Sequence, residues 1–239
     1  VIDAEANDYR KAWVFSEGLA AVKRAGKVGF INAENEVVIP FQFDYSYKCR
    51  MWDFAYLFHN GYCIMTNKSG DLGLIDKGGN WVVEPEYDEI WAPHSSGYRV
   101  IVKNGKHGVL DSNCAVVYPV EYGHIDILSD GFVLTKDGKR WQEDFEGNIT
   151  QPFMYDGTYD LRYPNGYDCC GDLVYELADF VQYEVMNSYG IMNRITGEPI
   201  TPAIYSDINM LSKDLFEVQE SDSYDWYLLD TKGNVVSKR

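Results

Sequence analysis

One spacing constrains this chain more than any other. Gly29, Gly73, Gly108 and Gly190 are followed, after 11, 12, 11 and 12 residues, by Pro40, Pro85, Pro119 and Pro202. The glycines and their equivalents recur every 34 to 48 residues. That is the period of a tandem repeat, in which each unit buries a core only by stacking on its neighbours. The segments "GKVGFINAENEVVIPFQFDY" (26–45), "GDLGLIDKGGNWVVEPEYDE" (70–89), "GKHGVLDSNCAVVYPVEYGH" (105–124) and "GKRWQEDFEGNITQPFMYDG" (138–157) share one frame, with looser copies at 187–207 and 224–239. A turn leads to a small residue, two apolar residues and then Asp or Asn. A second turn, β-branched residues, a proline and an aromatic residue follow.

Each unit reads as three short strands. The first is "GLAAVKR" (18–24), with counterparts at 61–67, 97–103 and 131–137. Alone it resembles a helix, since Ala, Leu, Lys and Arg are good helix formers. Its counterparts are β-branched and aromatic, so the repeat register predicts a strand. Asn104-Gly105 and Asp137-Gly138 suit two-residue hairpins that need positive φ at both central positions. Asn32, Asp76, Asp111, Asn193 and Asp230 recur at one position, where a side-chain oxygen can cap the following turn. The prolines remove a ladder donor and mark a strand edge. The fold class is therefore all-β, a tandem array of about six three-stranded units, propeller-like ring or curved β-solenoid. The units span approximately 15–45, 58–90, 97–125, 131–156, 180–208 and 215–239 of a single 1–239 repeat domain, and 157–179 is a non-repeat insertion. The last unit stops at "GNVVSKR", while "NDYRKAWVFSEG" (7–18) resembles "PEYDEIWAPHSSG" (85–97). The two ends read as complementary fractions of one repeat, which suits closure into a ring.

The frame resembles the WG-repeat family, also called KWG repeats, and "FSEGLAAVKRAGKVGFINAENEVVIPFQFDY" (15–45) matches its pattern nearly throughout. The family's tryptophan slot holds Val28, Leu72, His107, Trp141, Tyr189 and Trp226 here, and no Trp-Gly dipeptide occurs. The resemblance implies a β-repeat architecture of the kind found largely in bacterial proteins. It supplies no catalytic residues.

Composition narrows the functional classes. With 37 acidic against 21 basic residues the net charge is −16, which repels nucleic acid and anionic membrane. No apolar run reaches the roughly 18 residues of a membrane span. The chain begins at Val1 with no basic-then-apolar leader, as a processed or trimmed product would. The five cysteines, Cys49, Cys63, Cys114, Cys169 and Cys170, show no C-x-x-C spacing. They suggest free thiols rather than a disulfide framework or zinc site.

No catalytic constellation, metal site or cofactor motif stands out. His107 fills the aromatic slot, His94 and Ser96 lie in a loop, and the repeated acids lack a calcium-loop spacing. What remains is aromatic. Tyr87, Tyr122, Tyr155 and Tyr205 follow the proline in successive units, a repeated strip that either stacks between units or binds. Trp141, Tyr159, Tyr163 and Tyr167 lie in or beside the insertion, where repeat proteins often place a binding face. The expectation is a non-enzymatic binding or scaffolding module for a protein or peptide, in a bacterial periplasmic, surface or secreted setting. A carbohydrate-binding module using the tyrosines is the alternative, and a hydrolase comes third.

Overall fold

The computed structural model describes residues 5–46, 55–223 and 225–239. Among them every regular element is a strand and there is no helix. The chain divides into two compact units, Val1–Ser129 and Asp130–Arg239.

In the first unit, β1 (Lys11–Ala12), β2 (Ala20–Arg24), β3 (Lys27–Ile31) and β4 (Val37–Asp44) run as an antiparallel meander. A second meander follows in β5 (Phe58–His59), β6 (Tyr62–Thr66), β7 (Leu72–Ile75) and β8 (Trp81–Tyr87). One residue pair, Asp44 with Thr66, joins the two into an eight-stranded sheet. A separate four-stranded sheet holds β9 (Glu89–Ile90), β10 (Arg99–Lys103), β11 (Lys106–Leu110) and β12 (Val116–Tyr122), and β13 (His124–Ile127) ends the unit. The second unit contains β14 (Gly131–Lys136), β15 (Lys139–Asp144) and β16 (Ile149–Gln151). Its seven-stranded sheet runs in chain order through β17 (Gly157–Tyr167), β18 (Leu173–Val185), β19 (Ser188–Asn193), β20 (Tyr205–Ser212), β21 (Leu215–Glu220), β22 (Trp226–Asp230) and β23 (Val235–Lys238).

The repeat register holds at the level of residue pairs. The tryptophan-slot residue faces the aromatic residue after the proline in four places: Val28 with Phe43, Leu72 with Tyr87, His107 with Tyr122, and Tyr189 with Tyr205. The sequence expectation of three strands per unit misses one element. Short lead strands β1, β5 and β9 each pair with the strand that follows them, β2, β6 and β10. The segment "NDYRKAW" thus supplies β1 to the first meander, pairing Lys11 with Lys23 and Ala12 with Val22.

The glycine–proline spacing has a steric cause. Between Val28/Phe43 and Phe30/Ile39 the register slips, so β4 bulges across Gly29. A Cβ on Gly29 would lie 2.8 Å from the Ile39 carbonyl oxygen, on Gly73 2.5 Å from that of Val83, and on Gly108 2.8 Å from that of Tyr118. None of the three has a positive φ. These glycines are there because the bulged strand lies on top of them. The bulge carries the proline, whose missing N–H costs no ladder bond, since Pro40, Pro85 and Pro119 have no partner in the facing strand's register.

The second turns are capped as the sequence predicts. Asp76 Oδ1 accepts the N–H groups of Gly78 and Asn80 at 2.8 and 2.9 Å. Asn32, Asp111, Asp144 and Asp230 repeat the pattern to positions two and four residues on. Asn104 and Gly105, and Asp137 and Gly138, all take positive φ. Each unit has its own apolar clusters. Phe30, Ile39, Phe58, Met65, Leu74 and Ile101 lie within the first unit, and Ile191, Ile208, Phe216, Val218 and Leu229 within the second.

Candidate functional site

The segment 157–179 lies largely within a hairpin formed by β17 and β18. Its root is anchored: Gly157 to Asp160 pair with Val181 to Glu184, and Phe180 to Val185 pair in turn with β19. Leu161 and Ala178 drop into the core of the second unit. Beyond a register slip at Asp160/Arg162, the outer half pairs only with itself, Arg162 with Leu177, Tyr163 with Glu176 and Tyr167 with Leu173. The tip is the repeat's own turn, with Asp168 Oδ1 accepting the N–H groups of Cys170 and Asp172. Those two bonds hold the Asp168 carboxyl below the usual carboxylate range.

This outer half shows apolar surface that a strand would ordinarily bury. Leu173, Val174, Tyr175, Leu177 and Tyr167 are between 41% and 72% exposed. The tyrosines at its base are held in place. Tyr163 donates to Glu176 Oε2 at 2.7 Å, directly across the ladder, and Tyr159 donates to Glu184 Oε2 at 2.6 Å. Each carboxylate bond pushes its phenol upward, so both hydroxyls stay protonated donors near neutrality. Tyr159 also meets Tyr189 edge to face at 6.1 Å. A cleft of about 380 Å³ runs beside the hairpin, lined by Tyr163, Leu177, Asp179, Lys213, Asp214 and Thr231 among others.

Tyr159, Tyr163 and Tyr167 share one strand, β17, where the sequence reading had expected a loop-like insertion. The other named aromatics do not join them in one surface. Tyr87 and Tyr205 are buried, each in the core of its own unit, opposite Leu72 and Tyr189. Tyr122 is half-buried against Tyr118, with ring centroids 5.5 Å apart. Tyr155 is exposed and packs on Phe153 and Tyr183. Trp141 lies half-buried on β15 and donates to Glu143 at 2.8 Å. Sequence reasoning passed over Leu173, Val174, Tyr175 and Leu177. The run "LVYEL" (173–177) carries the β-forming composition that could have revealed them.

The remaining constellations make contacts within the fold. His107 meets Trp91 edge to face at 5.7 Å and His124 at 4.7 Å, which is aromatic packing. Burial, followed by the neighbouring His124, lowers its pKa. His94 Nδ1 lies 2.8 Å from Ser96 Oγ within one loop turn. Among the described residues no group of three or more His, Cys, Asp or Glu side chains could hold a metal ion. A larger groove of about 640 Å³ lies in the first unit near Asn67 and Asn80. Its amides are already engaged, Asn67 with Asp71 and the Pro85 carbonyl and Asn80 with Asp76.

A family profile described as a WG-containing repeat matches residues 8–27, 29–68, 73–106 and 189–224, together more than half of the chain. No curated protein sequence matches it. Among solved structures the chain is similar to a eukaryotic initiation factor at 9% identity and a TM-score of 0.35, covering 96% of this chain and 76% of that one. It is similar to PorZ, a bacterial surface component of the type-IX secretion system of Porphyromonas gingivalis, at 9% identity and a TM-score of 0.34. That match covers 97% of this chain and 33% of PorZ, so the chain spans about a third of that protein's length. Kluyveromyces lactis Hsv2p is similar at 8% identity and a TM-score of 0.30, covering 94% of this chain and 75% of that one.

Proposed function

We propose, from the premise that this chain belongs to the WG-containing repeat family, that it is a non-enzymatic binding module whose contact element is the β17–β18 hairpin. Its partner is a protein or peptide, in a bacterial periplasmic, surface or secreted setting. The observation that carries this reading is the outer half of the hairpin, which has exposed Tyr167, Leu173, Tyr175 and Leu177 and no strand pairing beyond its own ladder among the described residues. An apolar ribbon with open edges can accept a strand of another chain, with main-chain bonds for affinity and side-chain faces for selectivity. The carboxylate bonds on Tyr159 and Tyr163 fix their rings beforehand, which lowers the ordering cost of docking.

The test uses peptides selected from a random library on the intact chain. Replacing residues 162–177 by a two-residue Asn-Gly turn should abolish their binding, and Tyr175→Ala should weaken it about tenfold or more, a loss of about 1.4 kcal/mol. Peptides that bind the shortened chain equally well would remove the hairpin from the reading. Screens for esterase and glycosidase turnover should be negative, and a positive one would overturn the non-enzymatic assignment.

The cleft beside Tyr163 supports carbohydrate as the second reading, since an aromatic ring bordered by Asp179, Asp214 and Thr231 suits a sugar. A glycan-array hit lost in Tyr163→Ala would favour it. The array as a whole is read as a propeller-like ring or a curved β-solenoid. In a ring, deletion of residues 1–13 speeds amide exchange at Trp226–Asp230. In an open solenoid that exchange is unchanged.

A further inference from the structure

The hairpin tip carries a feature independent of its aromatic faces. Cys169 and Cys170 occupy the two positions after Asp168, both exposed, with their Sγ atoms 3.8 Å apart. The turn fixes the backbone beneath them. Asp168 Oδ1 accepts from Cys170 at 2.7 Å and Asp172 at 3.0 Å, and Gly171 takes the left-handed conformation with φ 91°. Sister turns place Lys77-Gly78, Ser112-Asn113, Phe145-Glu146 and Thr231-Lys232 at the same two positions. The turn itself therefore makes no demand for sulfur, and the paired thiols are particular to this tip.

Two thiolates bound to one tetrahedral ion at about 2.3 Å each lie about 3.8 Å apart. The free thiols already hold that separation. We propose that Cys169 and Cys170 form a two-thiolate chelating site for a soft d10 cation of the zinc or cadmium class. Binding replaces the two S–H bonds by two metal–sulfur bonds and releases two protons per ion, with no oxidant or reductant involved. Once the first sulfur binds, the second is held close by, so the second bond forms intramolecularly. Asp168, Asp172, Glu176 and Asp179 against Arg162 give the outer hairpin an acidic field that favours a cation. The two remaining coordination positions are left to water, or to the same thiol pair from a second copy of the chain.

Cadmium is the probe, because thiolate ligation gives an ultraviolet charge-transfer band that histidine and carboxylate ligation do not. The intact chain, reduced with a phosphine rather than a thiol, is titrated with Cd²⁺. The band should saturate at one ion per chain, or at one per two chains if two tips share it. Cys169→Ser and Cys170→Ser should each lower the apparent affinity at least about tenfold, as loss of one arm of a chelate does. Cys114→Ser, altering a half-buried thiol of the first unit, should change nothing. Far-UV circular dichroism confirms that each variant is folded, and the exposed tip makes loss of fold unexpected. The proposal is overturned if the band is missing at micromolar Cd²⁺. It is equally overturned if the Cys169→Ser/Cys170→Ser double variant keeps the band and its affinity.

Discussion

At the scale of single residues, the glycines of this chain answer two different demands. Gly105 has φ 71° and open space where a Cβ would go, whereas Gly73 has no positive φ and a carbonyl oxygen 2.5 Å from that point. Asparagine tolerates the left-handed region but still needs room for a Cβ. Gly105→Asn should therefore be nearly neutral in urea unfolding, while Gly73→Asn should cost about 3 kcal/mol through overpacking against backbone. Equal costs would remove the close-approach explanation. The capping acids make a second prediction. The N–H of Asn80 first, then its side-chain amide and the N–H of Gly78, hold the Asp76 carboxyl below the usual range. With the folded pKa depressed, this stabilisation is present above the unfolded value of about 4 and lost as pH falls through the folded one. Asp76→Asn keeps the accepting oxygen and should flatten that acid limb with little change at pH 7. Asp76→Ala should cost about 1 kcal/mol at pH 7. The caps were legible from the sequence because one side-chain type recurred at one place. Burial of the tyrosines was not. Tyr87 is buried and Tyr155 exposed at the same repeat position, because β8 extends to Tyr87 while β16 stops at Gln151.

At the scale of elements, β18 is one strand with two environments. Residues 181–184 are paired on both sides, and 173–177 pair only with β17. Amide exchange follows local opening, which is easier where a ladder is single and solvated. Exchange mapped by mass spectrometry should show 173–177 exchanging at least about tenfold faster than 181–184, and uniform protection would contradict the two-environment description. The sequence marked this segment as an interruption of the period, and β17 and β18 occupy most of it. The lead strands β1, β5 and β9 were invisible by contrast, since two residues carry no periodicity. Strand β2 was legible only by alignment, since "GLAAVKR" alone favours helix.

For the whole molecule, each large apolar cluster lies inside one of the two compact units. Residues 1–129 and 130–239, prepared separately, should each melt cooperatively with a β-type far-UV spectrum, because a buried core is what makes unfolding all-or-none. A fragment that stays unstructured would mean that its core depends on the other half. The glycine beneath each bulge restricts which substitutions a repeat tolerates. Glycine and bulge fit as a lock with its key, so neither can be replaced alone without harm. In the fourth copy the pairing of Leu134 with Trp141 and the cap at Asp144 put Trp141, read from the sequence as the tryptophan slot, where the glycine would be, and β16 ends at Gln151, one residue short of Pro152. In that copy the post-proline tyrosine, released from its partner strand, reaches solvent. The same repeat position is thereby core in one copy and exposed surface in another.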